Sequence, residues 1–342
     1  MSEISRTTAP AEHPFAPYVR ILGKGKTGTR SLTLAEAREA FGMILRNDTE
    51  PLQLGAFLML LRVKEESAEE LAGFVLACRD AMVPHQLQGA ADLDWSSYAG
   101  KKHQHPWYIL SILLLAEAGY RTFIHGAGGH THGRLYTETA LQLLGLPPAQ
   151  NWAEVGQQLD SQGFSFLSLQ RICHGLYDIM QLKPILGLRS PVNTFARMLN
   201  PLAAPASIQS IFHPAYADLH RSADVLLGQH RSLVFKGDSG EIEIKPQANT
   251  RLSFQCDGTC TDRDLPRLLP DRVPSVELVS VQALQALWHS QADDEYGLLA
   301  TLATTAVALQ LLEPALSHTA ALQKAEQLWV NRNLERLPRA PE

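Results

Sequence analysis

Five histidines lie close together in the chain, and the imidazole is the side chain most often used to bind a metal near neutral pH. Zinc requires three or four ligands at bonds of about 2.0–2.1 Å, and no cysteine or carboxylate is spaced to complete such a set. A zinc site is therefore the alternative, and we expect instead that the imidazoles line a groove that meets phosphate. The five are His103, His105, His125, His130 and His132.

Two other clusters contain residue types that bind metals. Asp238, Glu241 and Glu243 follow a predicted strand and a glycine. Carboxylates on such a loop can hold Mg²⁺, and a charged turn is the alternative. Cys256 and Cys260 form a lone Cys-x₃-Cys pair, whereas a structural zinc site needs a second pair of ligands. We expect no metal and no cofactor.

Basic residues are concentrated in three segments with few or no acids. Residues 20–30 carry four basic side chains and no acid, and residues 95–116 carry Lys101 and Lys102 and no acid. Residues 161–217 carry four basic side chains against one acid, which is a local charge of +3. A charge run is usually a solvated surface, but three such segments can converge on one phosphate-binding surface.

The composition is that of a folded protein. A chain of 342 residues is long enough for about two domains. The apolar fraction of 45% supports a sizeable core, and four cysteines are too few for a disulfide scaffold. The net charge of −5, from 30 basic and 35 acidic residues, excludes a globally basic nucleic-acid coat. It does not exclude a basic groove on a protein of negative net charge, because the electrostatic field near the groove determines whether a polyanion binds.

No segment of the sequence predicts a membrane span. The longest apolar run, residues 109–118, is interrupted by Ser111 and Glu117. It is shorter than the about 20 residues that a bilayer requires. Residues 1–16 lack the apolar run of a signal peptide. We therefore expect a cytoplasmic protein that does not interact with a membrane.

Helical spacing of apolar residues dominates the first part of the chain. Thr33 with Glu36, and Ser67 with Glu70, form capping-box patterns at the starts of two helices. A third, nearly all-apolar helix is predicted over residues 51–63. These patterns predict a small helical unit.

After this unit, short strands alternate with helices. Strands are predicted over residues 121–125, 207–212 and 231–235, a loop over residues 86–107, and β-rich or irregular structure over residues 241–285. Strands that alternate with helices are typical of a parallel sheet. The predicted fold class is α/β, with a small all-helical N-terminal domain and a larger α/β domain around a mainly parallel central sheet.

Four short motifs follow one another along the chain. They are His125-Gly126, Gly187-Leu-Arg-Ser-Pro-Val-Asn193, Leu199-Asn-Pro-Leu-Ala-Ala-Pro205 and Phe235-Lys-Gly237. Together with the helical start, this ordered set resembles the anthranilate phosphoribosyltransferase fold of glycosyltransferase family 3, which nucleoside phosphorylases share. The resemblance covers about residues 18–330. It is closest to the YbiB-type branch of anthranilate phosphoribosyltransferase-like proteins.

The resemblance implies a division of the chain into two domains. After a poorly ordered lead-in over residues 1–19, the helical domain covers residues 20–85 and receives inserted helices from about residues 167–200. The α/β domain is formed by residues 86–166 and 201–342. The family also implies a homodimer through the helical domain.

The chain departs from the family at the residues that carry its chemistry. The enzymes hold pyrophosphate on a Gly-Thr-Gly-Gly-Asp loop, whereas residues 96–109 contain one glycine, Gly100, and also Pro106. Bulky residues keep the backbone amides from wrapping a pyrophosphate closely, and proline removes a donor. The family's metal-binding Asp-Glu pair falls on Ile242 and Glu243, so its aspartate is lost. The inherited reaction is therefore expected to be disabled.

We predict a non-catalytic, largely sequence-independent nucleic-acid binding protein that holds the phosphates of DNA or RNA in a basic groove. Lysines suit non-specific phosphate contacts, and the resemblance to the YbiB-type branch also implies nucleic-acid binding. The alternative is a phosphoribosyltransferase that uses phosphoribosyl pyrophosphate with an altered acceptor. The predicted binding residues are a basic arm of Lys24, Lys26 and Arg30, a patch of Lys101, Lys102 and His103 at the former pyrophosphate loop, and groove walls of Arg134, Arg189 (which meets the aromatic acid in the enzymes), Arg197 and Lys236.

Overall fold

The amino-terminal part of the computed structural model is a helical domain, and the structure describes residues 11–129 and 131–340. Both predicted capping boxes are present. The side chains of Thr33 and Ser67 accept the backbone N–H of Glu36 and Glu70, whose carboxylates accept the cap N–H groups in return. The four helices are α1 (Ala16–Gly23), α2 (Leu34–Leu45), α3 (Pro51–Lys64) and α4 (Ala68–Ala81).

Regular structure begins earlier than the sequence predicts. Helix α1 starts at Ala16, and the preceding Phe15 is fully buried with its ring 5.3 Å from that of Phe57. The predicted lead-in is therefore wrong over residues 16–19, because an aromatic contact fixes α1 on α3. Residues 1–10 lie outside the described part of the chain.

Short helices from the middle of the chain pack against the helical domain. The ring of Phe195 lies 5.1 Å from that of Phe41 and 5.4 Å from that of Phe74. These rings belong to an apolar core that also includes Phe123 and Leu167 of the larger domain, so the inserted and amino-terminal helices pack together and against that domain. The inserted helices are α8 (Leu169–Ile172), α9 (His174–Met180), α10 (Lys183–Leu186) and α11 (Val192–Phe195).

The larger domain is built on a seven-stranded sheet in the order β3-β2-β1-β4-β5-β6-β7. Strands β1 to β5 are parallel, and β6 and β7 are antiparallel additions at one side. The sheet confirms the predicted fold class. The strands are β1 (Leu93–Ser97), β2 (Thr122–Gly126), β3 (Phe164–Ser168), β4 (Ala206–Ser210), β5 (Arg231–Phe235), β6 (Thr250–Cys256) and β7 (Thr259–Leu265).

Among the described residues, seven α-helices accompany the sheet. The longest, α14, is long and apolar enough to cross a membrane, but 78% of it is buried inside the protein, where it packs against α5 and α15. It is therefore a core helix of this domain. The seven are α5 (Tyr108–Glu117), α6 (Thr137–Leu143), α7 (Trp152–Gln162), α12 (Tyr216–Leu226), α13 (Gln282–Trp288), α14 (Glu295–Leu312) and α15 (His318–Val330).

The loops that follow β1, β2, β4 and β5 meet at one edge of the sheet, because these strands are parallel neighbours. We call this edge, formed by residues 98–107, 127–136, 211–215 and 236–249, the carboxyl edge. The order of strands along the chain reverses between β1 and β4. Open α/β sheets bind ligands outside the carboxyl ends of their strands at such a reversal. The fold therefore places a candidate site at the carboxyl edge.

Candidate functional site

Lys101 lies in the interior of the carboxyl edge and is 0% exposed. Its ammonium forms ion pairs with the carboxylates of Asp238 and Glu243. Burial opposes the charge, but the two carboxylates outweigh it and raise the pKa of Lys101. The prediction that Lys101 contacts nucleic acid is therefore wrong, because its charge is already neutralised inside the protein.

Glu241 fills the space next to the loop after β1. Its Oε1 accepts the backbone N–H of Ala99 at 2.7 Å and of Gly100 at 2.5 Å, and its Oε2 accepts the Ser97 hydroxyl at 2.7 Å. Backbone amides of this kind are what a phosphate-binding loop offers to an anion. The anion position is therefore occupied by a carboxylate of the chain itself.

Arg134 braces the same loop from the other side. Its Nη1 donates to the carbonyl oxygens of Ala99 at 3.1 Å, Gly100 at 2.8 Å and Ser239 at 3.1 Å. These bonds tie the loop after β1 to the turn after β5. That Arg134 forms a groove wall stays a prediction, because the residue is half-buried and these backbone bonds use only one of its three guanidinium nitrogens.

Arg197 is also part of the interior. It is 6% exposed and donates to the carbonyl oxygen of Gly240 at 3.2 Å. Burial lowers its pKa. The prediction that Arg197 contacts nucleic acid is wrong, since nearly all of its surface is covered by the protein.

Arg30 is exposed but has an acidic partner. Both of its terminal nitrogens lie 2.7 Å from carboxylate oxygens of Glu36. The hydrogen bond from Arg30 lowers the pKa of Glu36 to about 2. Lys24 and Lys26, in the turn after α1, are exposed. Of the predicted basic arm, these two lysines keep an uncompensated charge in the described part of the chain.

Lys102, His103 and Lys236 are exposed at the carboxyl edge. The loop that carries the first two is fixed, because the backbone N–H of Val276 donates to the carbonyl oxygen of His103 at 3.0 Å. Lys236 directly follows β5. Neither lysine has an ion-pair partner among the described residues.

Arg189 lines a cavity of about 230 Å³ between the two domains. Its guanidinium lies 5.5 Å from the ring centre of Phe212, and burial lowers its pKa. The described lining contains no carboxylate. Two further guanidinium groups, those of Arg62 and Arg197, line the same cavity. The buried imidazole of His220 also lines it but is neutral, because burial lowers its pKa to about 3.

A second cavity of about 640 Å³ lies on the other side of Phe212, with Lys236 in its wall. Its further basic residues were missed by the sequence analysis, because they lie in segments in which acids are common. Two of them lie before or in β6 and two follow β7, so no single motif of the sequence joins them. The missed residues are Lys245, Arg251, Arg267 and Arg272.

The clustered histidines do not converge on one point. His125 is buried, with its Nε2 3.3 Å from Asp94 Oδ1 and its Nδ1 2.6 Å from the Tyr98 hydroxyl. His130 lies outside the described residues. The described part of the chain contains no group of three or more His, Cys, Asp or Glu side chains arranged to hold a metal.

Comparisons of the sequence identify relatives of this chain. Residues 17–82 match the model of the glycosyl transferase family, helical bundle domain. The chain is 31% identical over 245 residues to an uncharacterized protein of Aquifex aeolicus. That alignment covers 70% of this chain and 72% of the Aquifex protein. The chain is 25% identical over 237 residues to the uncharacterized protein YbiB of Escherichia coli, covering 68% and 73%. It is 30% identical over 236 residues to the anthranilate phosphoribosyltransferase of Methylocella silvestris, covering 68% and 66%.

Solved structures share the fold. The anthranilate phosphoribosyltransferase of Thermus thermophilus superposes with a TM-score of 0.78 at 19% identity, covering 95% of this chain and 99% of that one. That of Saccharomyces cerevisiae in complex with phosphoribosyl pyrophosphate and Mg superposes with a TM-score of 0.75 at 17% identity, covering 95% and 97%. The likeness therefore extends over both domains.

Proposed function

Because the chain belongs to the anthranilate phosphoribosyltransferase-like proteins of glycosyltransferase family 3, we propose that it keeps the family scaffold and uses it to bind nucleic acid without catalysis. The phosphates of DNA or RNA are held by exposed cations around the carboxyl edge. The cytoplasm remains the predicted location.

The filled anion position supports the loss of catalysis. Transfer of a phosphoribosyl group requires preorganised charge that neutralises the leaving pyrophosphate. Here the amides of Ala99 and Gly100 already bind Glu241, and the carboxylates of Asp238 and Glu243 already bind Lys101. A pyrophosphate with its metal would have to displace both internal charges.

The observation that carries the binding proposal is the set of cations without acidic partners around this edge. Lys102, Arg189 and Lys236 follow or adjoin the ends of β1, β4 and β5, and none has an ion-pair partner among the described residues. Cations held apart from carboxylates attract a polyanion even on a protein of negative net charge. They contact phosphates, which carry no sequence information, so binding is largely independent of sequence.

An exposed apolar surface supports assembly as a homodimer through the helical domain. Leu52 on α3 is 88% exposed and lines a shallow recess of about 390 Å³ with Val19 and Ala56. Val63, near the end of the same helix, is 85% exposed. Large apolar side chains exposed together mark interaction surfaces. Two copies joined here double the number of cations available to one strand.

The test compares two ligands on the same purified chain. Fluorescence anisotropy measures binding of labelled single-stranded DNA, duplex DNA and RNA, and calorimetry measures binding of phosphoribosyl pyrophosphate with Mg²⁺. We expect nucleic acid to bind and millimolar phosphoribosyl pyrophosphate to give no saturable heat. Saturable binding of phosphoribosyl pyrophosphate without binding of any nucleic acid would overturn the proposal in favour of an enzyme.

A further inference from the structure

The larger cavity beside β5 has walls that the chain itself holds in place. They come from the loop after β4, the turn at residues 236–240, the start of β6 and the segment at residues 267–272. The backbone N–H of Arg267 donates to Asn249 Oδ1 at 2.9 Å, and that of Leu268 donates to the carbonyl oxygen of Pro246 at 2.7 Å. The outer wall is therefore tied to β6.

The charges of this cavity are not balanced. Its lining contains five basic residues and two acidic ones. Two of the five basic residues have acidic partners, because Lys245 lies 3.7 Å from Asp238 and Arg251 lies 2.6 Å from Asp262. Lys236, Arg267 and Arg272 are exposed, and they have no ion-pair partner in the described ranges. Three cations around one space fit a phosphate, whose oxygens accept several charge-assisted hydrogen bonds.

An apolar wall faces these cations. Phe212 is 37% exposed and lines the cavity together with Pro214 and Pro270. Gly240 lies against the ring, where a Cβ would come within 2.3 Å of Phe212 Cε2. The glycine therefore lets the ring come close to the turn at residues 236–240. A planar ring of this kind can stack on a nucleobase.

Two amide side chains also line the cavity. The amide oxygen of Asn249 accepts the N–H of Arg267, and that of Gln247 accepts the N–H of Val273. This leaves both amide nitrogens as donors that have no acceptor among the described residues. Such donors can bind the ring nitrogens or carbonyl oxygens of a base.

We propose that this cavity binds a free nucleoside phosphate. The phosphate lies against Lys236, Arg267 and Arg272, and the base lies against Phe212. The volume of about 640 Å³ is within the range of about 300–1,000 Å³ for small-molecule sites. This function goes beyond nucleic-acid binding and does not depend on it, because the ligand is a small molecule.

Calorimetry on the full chain tests the proposal with adenosine 5′-monophosphate, adenosine and inorganic phosphate as probes. We expect the monophosphate to saturate one site per chain, and each fragment to bind at least about tenfold more weakly, a difference of about 1.4 kcal/mol. The double variant Arg267→Ala/Arg272→Ala should lose at least about tenfold in affinity for the monophosphate. Arg339→Ala, at an exposed arginine away from the cavity, should bind as the wild type does.

The outcomes separate this inference from the proposed function. No saturable binding of the monophosphate, or unchanged binding by the double variant, would overturn the inference. The inference would also be overturned if the monophosphate did not bind and the double variant lost nucleic-acid binding. The cavity would then be a binding site for the nucleic-acid strand. Binding of the monophosphate without binding of nucleic acid would support the inference and contradict only the proposed function.

Discussion

The carboxylate of Glu241 accepts the backbone N–H of Gly100 at 2.5 Å, across a sequence separation of 141 residues. This bond closes the loop after β1 onto the turn after β5. Lys101 forms buried ion pairs with Asp238 and Glu243. The positions that a bound anion and its cation would take are therefore filled by the protein's own side chains. The consequences can be measured on stability, on anion binding and on nucleic-acid binding.

Replacement of Lys101 by methionine should destabilise the fold. It leaves the buried carboxylate of Glu243 without its cation and that of Asp238 with Lys245 alone, at 3.7 Å. Loss of one partner of a buried ion pair costs about 3–5 kcal/mol. Urea denaturation followed by circular dichroism measures the change. Lys102→Met, at the exposed neighbour, should change stability by no more than about 0.5 kcal/mol. Equal stability of the two variants would contradict the described role of Lys101.

The stability of the wild type should contain a component from Glu243 that decreases as the pH rises. Burial raises the pKa of Glu243 from 4.5 to about 7, so between these values the folded state holds a proton that the unfolded state has lost. Folding is then favoured at the lower pH, and the contribution is lost as the pH rises through 7. Glu243→Gln removes this titration, so its stability should fall less than that of the wild type between pH 5 and 8.

Urea denaturation at a series of pH values measures this difference, which should be on the order of 1–3 kcal/mol over the whole interval. Glu313→Gln is the control, because Glu313 is partly exposed and its pKa is lowered by Lys324. If Glu243→Gln and the wild type have the same pH dependence, the carboxyl of Glu243 is not the titrating group.

Replacement of Glu241 by alanine should open the anion position. The amides of Ala99 and Gly100 lose their acceptor, which costs about 1–3 kcal/mol. A soluble anion can then take the place of the carboxylate. We expect millimolar inorganic pyrophosphate to raise the melting temperature of Glu241→Ala more than that of the wild type. If pyrophosphate has the same effect on both proteins, the amides are not an anion site.

Replacement of Leu52 by glutamate should separate the proposed dimer. The charge would lie in the recess formed by α1 and α3, and burial of an unpaired carboxylate is strongly unfavourable. Sedimentation velocity measures the mass in solution. Leu278→Glu is the matched control, because Leu278 is 80% exposed and lies outside the helical domain. A dimer that persists in Leu52→Glu would place the interface elsewhere.

Features determined by local chemistry could be predicted from the sequence. The capping boxes at Thr33 and Ser67 marked two helix starts correctly, because a cap depends on residues three positions apart. Strand β1 was missed, because the buried Asp94 and Ser96 interrupt its apolar pattern. Asp94 is accommodated by contacts with His125 and Ser207, which come from other strands. No local pattern records those partners.

The site was predicted less well than the fold, and the reason is burial. Lys101 and Lys102 are adjacent lysines in the sequence, yet one is interior and the other exposed. The difference depends on Asp238 and Glu243, which are more than a hundred residues away in the chain. In the same way, Arg267 and Arg272 stand among acids in the sequence but face a basic cavity in the fold. Charge counted by segment does not show which charges are already paired.

The salt dependence of single-stranded DNA binding tests the central claim most directly. Each phosphate neutralised contributes about 0.7 to the slope of log affinity against log salt concentration. Lys102→Glu with Lys236→Glu should therefore reduce affinity and lower the slope by about 1.4, for two contacts at about 0.7 each. Arg121→Glu with Arg339→Glu makes the same change in net charge, with Arg121 at the opposite edge of the sheet, and should leave the slope unchanged. No binding at low salt, or an equal effect of the two double variants, would contradict a nucleic-acid interface at the carboxyl edge.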